Sequence, residues 1–311
     1  MSLLKEKAPI QPNQKLALLA SYWALGTAFI LAIIKGIAYF FTGSNALLAS
    51  LIDTISDIVL SIVSYCSVKI SLKPADDDHR FGHGKAEGFS AQIQASFLIG
   101  SSVFITFEAI RHYFTPAQIE HHILGIAVSL IAIALTLILV FVQKWVLKRA
   151  PSLAVEADRS HYKGDIFINL GVILAFTADY LTQSSLIDLL ISLSIAFYLC
   201  WSGLTIGKKA TDMLMDREIP FCERQKIIDL VKGDPRIFGL HDLRTRQSGM
   251  DLHISFDVEL DGALSLEEAH NIVSELDLAL LEIFPHAEII IHMDPKGNTH
   301  DPRHKTQGVH Y

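Results

Sequence analysis

The sequence predicts a polytopic α-helical membrane protein, with six transmembrane helices followed by a C-terminal cytoplasmic α+β domain. Three observations lead there. The 311-residue chain is 50% hydrophobic and only 19% charged, with a mean hydropathy of +0.36, whereas a soluble domain carries about 25% charge. Long apolar blocks recur from Leu16 to about Gly207 with short polar stretches between them, and from Thr211 the composition becomes that of a soluble domain. The predicted organisation is an N-terminal cytoplasmic tail over 1–15, a six-helix transmembrane region over 16–210, a cytoplasmic domain over 211–295 and a mobile polar tail over 296–311.

A hydrocarbon core takes ~20 helical residues to cross. Six blocks are that long: Leu16–Phe41, Asn45–Ile70, Gly88–Tyr113, His122–Leu147, Val155–Leu181 and Leu186–Gly207. The first exceeds the roughly 7–15 residues of a signal-peptide core and has no small-residue cleavage site after it, so it is expected to remain attached. Orientation follows from Lys and Arg, which cytoplasmic loops retain. The segments holding Lys5, Lys7 and Lys15, then Lys73, Arg80 and Lys85, then Lys148, Arg149 and Arg159, then Lys208 and Lys209 are basic. The opposite turns, Thr42–Ser44, Thr115–His121 and Thr182–Ser185, contain neither residue. Both termini are therefore expected in the cytoplasm.

Beyond Thr211, Glu223–Lys232 reads as a helix and Leu240–Gln247 and Asp251–Leu260 as strands. In the second strand Leu252, Ile254, Phe256, Val258 and Leu260 share one face, which leaves Asp257 on the accessible one. Ser265-Leu-Glu-Glu268 is a capping box opening a helix to about Phe284. A last strand, Glu288–Met293, completes an α-β-β-α-β order that fits a two-layer α+β sandwich.

A net charge of −7 gives the chain no general electrostatic reason to hold nucleic acid. Cys66, Cys200 and Cys222 are too few and too scattered for a disulfide framework or a Cys-x-x-Cys knuckle.

Charges inside the apolar blocks need a reason, because an Asp at a helix centre costs roughly 2.5–3.5 kcal/mol. Asp53 and Asp57 share one face of the second block, and His161 and Asp165 repeat that four-residue spacing in the fifth. Three uncompensated carboxylates would cost on the order of 9 kcal/mol, which bound metal or protonation must offset. Facing each other, the pairs offer three carboxylates and one imidazole, a tetrahedral set suited to Zn²⁺. Helix-end capping is the competing reading for either pair alone. Lys35 and Glu108 acquire no role, since Lys snorkels and Glu108 reaches an interface. In the loop after the second block, Asp76, His79 and His83 can converge where Gly82 and Gly84 let the backbone turn tightly, against the alternative of a solvated loop. In the C-terminal region His241, Asp257, His270, His292 and Asp294 come from separate elements, a pattern for a metal site, binuclear if Asp294 bridges. Surface histidines without a role are the alternative. His253 and His286 fit no pattern, and His300, His304 and His310 lie in the polar tail.

These motifs, taken together, resemble those of the cation diffusion facilitator family, specifically its bacterial zinc and ferrous-iron efflux members. The resemblance runs from the first span to Pro295. It is carried by Asp53-Thr-Ile-Ser-Asp57, Asp76-Asp-Asp-His-Arg-Phe-Gly-His-Gly-Lys-Ala-Glu87, His161-Tyr-Lys-Gly-Asp165, His241-Asp-Leu-Arg-Thr-Arg-Gln-Ser-Gly249 and Ile290-Ile-His-Met-Asp-Pro295. It implies a homodimer in the bacterial inner membrane, with ferredoxin-like cytoplasmic domains, that exchanges a cytosolic divalent metal for protons. The transport site maps to Asp53, Asp57, His161 and Asp165, a loop site to Asp76, His79 and His83, and a binuclear site to His241, Asp257, His270, His292 and Asp294. Lys85 and Asp216 match a charge pair linking the protomers. Asp257 departs from the pattern, since similar members have His there, and a carboxylate is the harder ligand.

Ligation and protonation compete for the same atoms, which is the physical basis of metal/proton antiport. With an ordinary pKa near 6.5, imidazole is the natural proton carrier, here His161 with Asp53 as second candidate. The cargo expected is Zn²⁺, with Cd²⁺ or Fe²⁺ as further candidates. An intramembrane metal-dependent hydrolase would need an open ligand position or His-Glu-x-x-His, and neither is present. A membrane-anchored metal sensor would need only one span.

Overall fold

The computed structural model describes residues 12–43, 45–114, 122–182, 185–285 and 287–297. The turn at 115–121, His286 and the tail histidines lie outside the described residues. The chain divides into two compact units, Met1–Thr211 and Asp212–Tyr311.

Among the described residues six helices build the first unit, the last of them running just past its end: α1 (Pro12–Thr42), α2 (Asn45–Ser71), α3 (Ala86–Phe114), α4 (His122–Leu147), α5 (Leu153–Thr182) and α6 (Ser185–Leu214). Among the described residues α1–α4 and α6 contain stretches long and apolar enough to cross a membrane. The first half of α5 is different, carrying Glu156, Asp158, Arg159, Lys163 and Asp165. Several of its later side chains lie outside the described residues.

Burial in this unit runs opposite to that of a soluble protein. The inward stripe of α1 is Ala17, Ala20, Ala24 and Ala28, all fully buried, while Phe40, Phe41, Phe141 and Phe197 are outside. Lipid tails are as apolar as leucine, so the helices gain by packing small residues closely and leaving large apolar ones to the bilayer. Gly203 of α6 shows how close: a Cβ there would lie 3.0 Å from the backbone oxygen of Ala95 on α3. Helix α1 packs on α2 and α4, α4 on α5, and α3 on α2 and α5.

The second unit contains α7 (Phe221–Lys232), β1 (Gly239–Ser248), β2 (Asp251–Leu260), α8 (Leu266–Ile283) and β3 (Ala287–Pro295). The sheet order is β1-β2-β3, with β1 antiparallel and β3 parallel to β2. Ile254, Phe256, Val258 and Leu260 bury their alternate face against Ile227, Val231, Ile272, Leu276 and Leu280 of the helices. The Ser265–Glu268 capping box forms, each residue's side chain accepting from the other's backbone N–H. The opposite sheet face is left for polar side chains.

Candidate metal centres

Helices α2 and α5 bring three of the four predicted intramembrane ligands together. Single ligand atoms of Asp57, His161 and Asp165 all lie within 4.8 Å of one another. His161 Nε2 is 2.9 Å from Asp57 Oδ1 and 3.7 Å from Asp165 Oδ2. The first distance is that of a hydrogen bond, so one proton occupies the line between two atoms that a shared metal would ligate. The side chains are 5–15% exposed, and Phe97 of α3 packs edge-on against the His161 ring. Asp53, one turn earlier on α2, is exposed and is not in the group, although the charges of Asp57, Lys35 and His161 act on it.

Several buried groups around this cluster have no place in the sequence reading. Lys35 is buried on α1 and donates to Thr54 Oγ1 at 2.6 Å and to the Ser50 carbonyl at 3.2 Å, rather than snorkelling. Tyr162 Oη meets Ser61 Oγ at 2.8 Å, joining α5 to α2 beside the site. One turn before His161, Asp158 accepts from Gln143 Nε2 of α4 at 2.7 Å, both side chains being fully enclosed. Glu87, in the first turn of α3, is also enclosed. A polar residue within an apolar block was the signal for Gln143, and a third acid three residues before His161 the signal for Asp158. Glu108 pairs with Arg111 at 3.0 Å.

In the loop, Asp76, His79 and His83 converge with ligand atoms within 4.8 Å. Asp76 faces both histidines at 3.3 Å, one through each oxygen. Gly82, with φ 74°, provides the positive-φ turn that returns His83 to Asp76. The backbone N–H of His79, 2.7 Å from Asp76 Oδ1, is the main cause holding that carboxyl below its ordinary pKa. His83 Nδ1 is buried with no hydrogen-bond partner among the described residues, a donor set that fits a cation.

On the polar face of the sheet, in-register pairing sets His241 beside Asp257 and Asp257 beside His292. His241, Asp257 and Asp294 form the third group within 4.8 Å. The His241 ring lies between two carboxylates, Nδ1 at 3.5 Å from Asp257 and Nε2 at 3.3 Å from Asp294. The other oxygen of Asp294 is 3.4 Å from His292 Nε2, so its two oxygens face two different histidines, as a bridging carboxylate's do. Burial pushes the Asp257 carboxyl above its ordinary pKa, with His241 pulling it back. His292 is 67% exposed and outside the group of three. His270, on α8, is exposed and meets Ser274 instead. His253 pairs with Glu288 at 3.1 Å across β2 and β3. Lys85 belongs to the first unit and Asp216 to the second, where Arg246 lies 3.6 Å from Asp216.

Comparison with known proteins places both units. Residues 21–215 match the cation efflux transmembrane domain, and residues 219–296 the cytoplasmic domain of cation efflux proteins. The cation-efflux pump FieF of Serratia proteamaculans is 40% identical over 276 residues, covering 89% of this chain and 92% of that protein. FieF of Shewanella oneidensis is 42% identical over 279 residues, covering 89% and 93%. A solved chain described as the putative zinc transporter CzrB is 32% identical, covers 25% of this chain and 99% of its own, and has a TM-score of 0.25. This membrane protein therefore belongs to the cation diffusion facilitator family and is a cation efflux transporter rather than an enzyme.

Proposed function

We propose that the protein exports a divalent metal cation from the cytosol in exchange for protons, using Asp53, Asp57, His161 and Asp165. The observation that carries this reading is the buried convergence of Asp57, His161 and Asp165 between the apolar helix α2 and the charged first half of α5. Charges in such a place need compensation, and the two available currencies are a cation and protons. A metal ligated by both His161 and Asp57 requires removal of the proton between them, so loading releases protons and protonation releases metal.

With His161 neutral and the three Asp ionised the set carries −3, and a divalent cation reduces that to −1. Buried Lys35 reaches Thr54, the neighbour of Asp53 on α2. If the site opens to each side in turn, protons entering down their gradient expel the metal by mass action. His161 is the principal proton carrier and Asp53 the second. Three carboxylates and one imidazole suit Zn²⁺, with Cd²⁺ and Fe²⁺ as further cargo, while an all-oxygen set would lean toward Mn²⁺.

Two copies of the chain form a homodimer, with Lys85 and Asp216 as the linking charge pair. The loop site and the sites at His241, Asp257, His270, His292 and Asp294 bind cytosolic metal, which tightens or regulates that dimer. The distribution of Lys and Arg supports cytoplasmic termini in a bacterial inner membrane.

The test is metal flux in proteoliposomes under an imposed pH gradient, with Zn²⁺, Cd²⁺, Fe²⁺ and Mn²⁺ in competition. Gradient-driven metal movement that Asp57→Ala abolishes is expected. Movement indifferent to the gradient would remove proton exchange, and full flux in Asp57→Ala would remove the site.

A further inference from the structure

The Glu87 side chain is almost wholly enclosed, 1% exposed, and its carboxylate's hydrogen bonds among the described residues all reach other segments of the chain. Its Oε2 accepts from Ser152 Oγ at 2.8 Å, Leu153 N at 2.7 Å and Ala154 N at 3.4 Å. Its Oε1 accepts from Ser71 Oγ at 3.1 Å. Leu153 and Ala154 open α5, where the first N–H groups have no partner within their own helix. Glu87 therefore supplies from α3 the acceptor that those donors lack. Through Ser71 it also holds the last residue of α2, the helix of Asp57.

The other end of this connection is the loop. Ala86 N donates to the His83 carbonyl at 3.0 Å and Glu87 N to the Gly84 carbonyl at 3.2 Å, so His83 sits one hydrogen-bonded turn before Glu87. Ser67 Oγ of α2 fastens that turn by donating to the Ala86 carbonyl at 2.7 Å. At 1.5 Å per residue, His161 lies roughly 12 Å along α5 from Leu153. A helix is stiff over that length, so an axial shift or rotation at its first turn reaches the imidazole.

We propose that Glu87 is a positioning residue that makes the loop of Asp76, His79 and His83 and the helix of His161 and Asp165 move as one body, so that metal in the loop sets the affinity of the intramembrane site. The proposal rests on the metal-site reading above. A carboxylate suits the task because it accepts from all four donors. A glutamine keeps one acceptor oxygen, so if that oxygen meets the three donors at α5 its N–H faces Ser71, whose O–H must then turn wholly to the Val68 carbonyl and no longer holds residue 87 as a donor.

A double-mutant cycle in reconstituted full-length protein tests it, with Zn²⁺ as the probe. His83→Ala is expected to raise the KM for Zn²⁺ flux about 10-fold when Glu87 is present, with kcat less affected, and by less than about threefold in Glu87→Gln. Ser152→Ala, which removes one donor and leaves both backbone ones, should give an intermediate coupling and serves if Glu87→Gln does not assemble. Equal KM ratios in the three backgrounds, or no KM change from His83→Ala in the parent, would overturn the proposal. Bound Zn²⁺ per chain separates the two levels of failure. Loss of one equivalent in His83→Ala with equal ratios sinks the link alone, and an unchanged count sinks the loop site together with it.

Discussion

The cluster on α2 and α5 and the cluster on the three-stranded sheet use the same two side-chain types in opposite surroundings. Asp57 and His161 are 7% and 5% exposed, whereas His241, Asp257 and Asp294 are 15–21% exposed and His292 beside them 67%. Inside the helical bundle the groups have each other, a cation or protons as partners, and nothing else is cheap. On the sheet the grouped side chains lie on a strand face outside any apolar bundle, with His292 at its open edge, so water can replace a cation there at less cost. Under the proposed function, that difference suits the first cluster to turnover and the second to sensing. It also explains why one conformation need not satisfy every ligand: Asp53 stands outside its group, as His270 and His292 stand outside theirs.

The largest effect that would break this comparison is at Asp57. Asp57→Ala is expected to lower metal flux in proteoliposomes by at least about 100-fold, since removing one partner leaves charge uncompensated in a low dielectric. Asp53→Ala sharpens the same point. Loss of flux as deep as that of Asp57→Ala is expected, and retained flux would redraw the centre as the three residues that meet here. A smaller effect belongs to the sheet. His292→Ala combined with Asp294→Ala should lower flux severalfold at high metal and weaken metal-dependent dimer tightening, read by distance measurements between labels. Unchanged dimer geometry and flux would deprive the sheet site of its regulatory part.

The smallest effect is local to α8. Ser265→Ala removes its N-cap and should cost about 1 kcal/mol, seen as faster amide hydrogen exchange in the first turn. The backbone N–H of Ser265 holds the Glu268 carboxyl below its ordinary pKa. A carboxyl depressed by folding contributes stability that is present above its unfolded pKa and lost as pH falls through the folded one. The difference in exchange between Glu268→Gln and the parent should therefore be full at neutral pH and vanish in acid. A difference independent of pH would assign the cap to the serine alone.

Much of this architecture was legible residue by residue. Six apolar blocks became six helices, Asp251–Leu260 occupies the predicted range, and the Ser265–Glu268 box closes as its spacing implies. Four-residue spacing found Asp57, His161 and Asp165, because spacing along a helix is a local property. It did not place Glu87, although the residue stood inside a motif already singled out, since nothing in a short motif says that its carboxylate reaches the start of another helix. A lysine near a helix end can snorkel, and only packing of α1 on α2 shows Lys35 turned inward onto Thr54.

Hydropathy, charge placement and the spacing of acids and histidines along each segment thus determined the class of fold, the two units and the residue types available as ligands, because each of these depends on near neighbours in the chain. Tertiary structure decided which ligands meet: the rotation of α2 that buries Asp57 and leaves Asp53 outside, the strand register that sets His241 beside Asp257, and the enclosure of Glu87 against α5. Those choices depend on how far each element turns about its own axis to pack on others distant in sequence, and periodicity leaves that angle open.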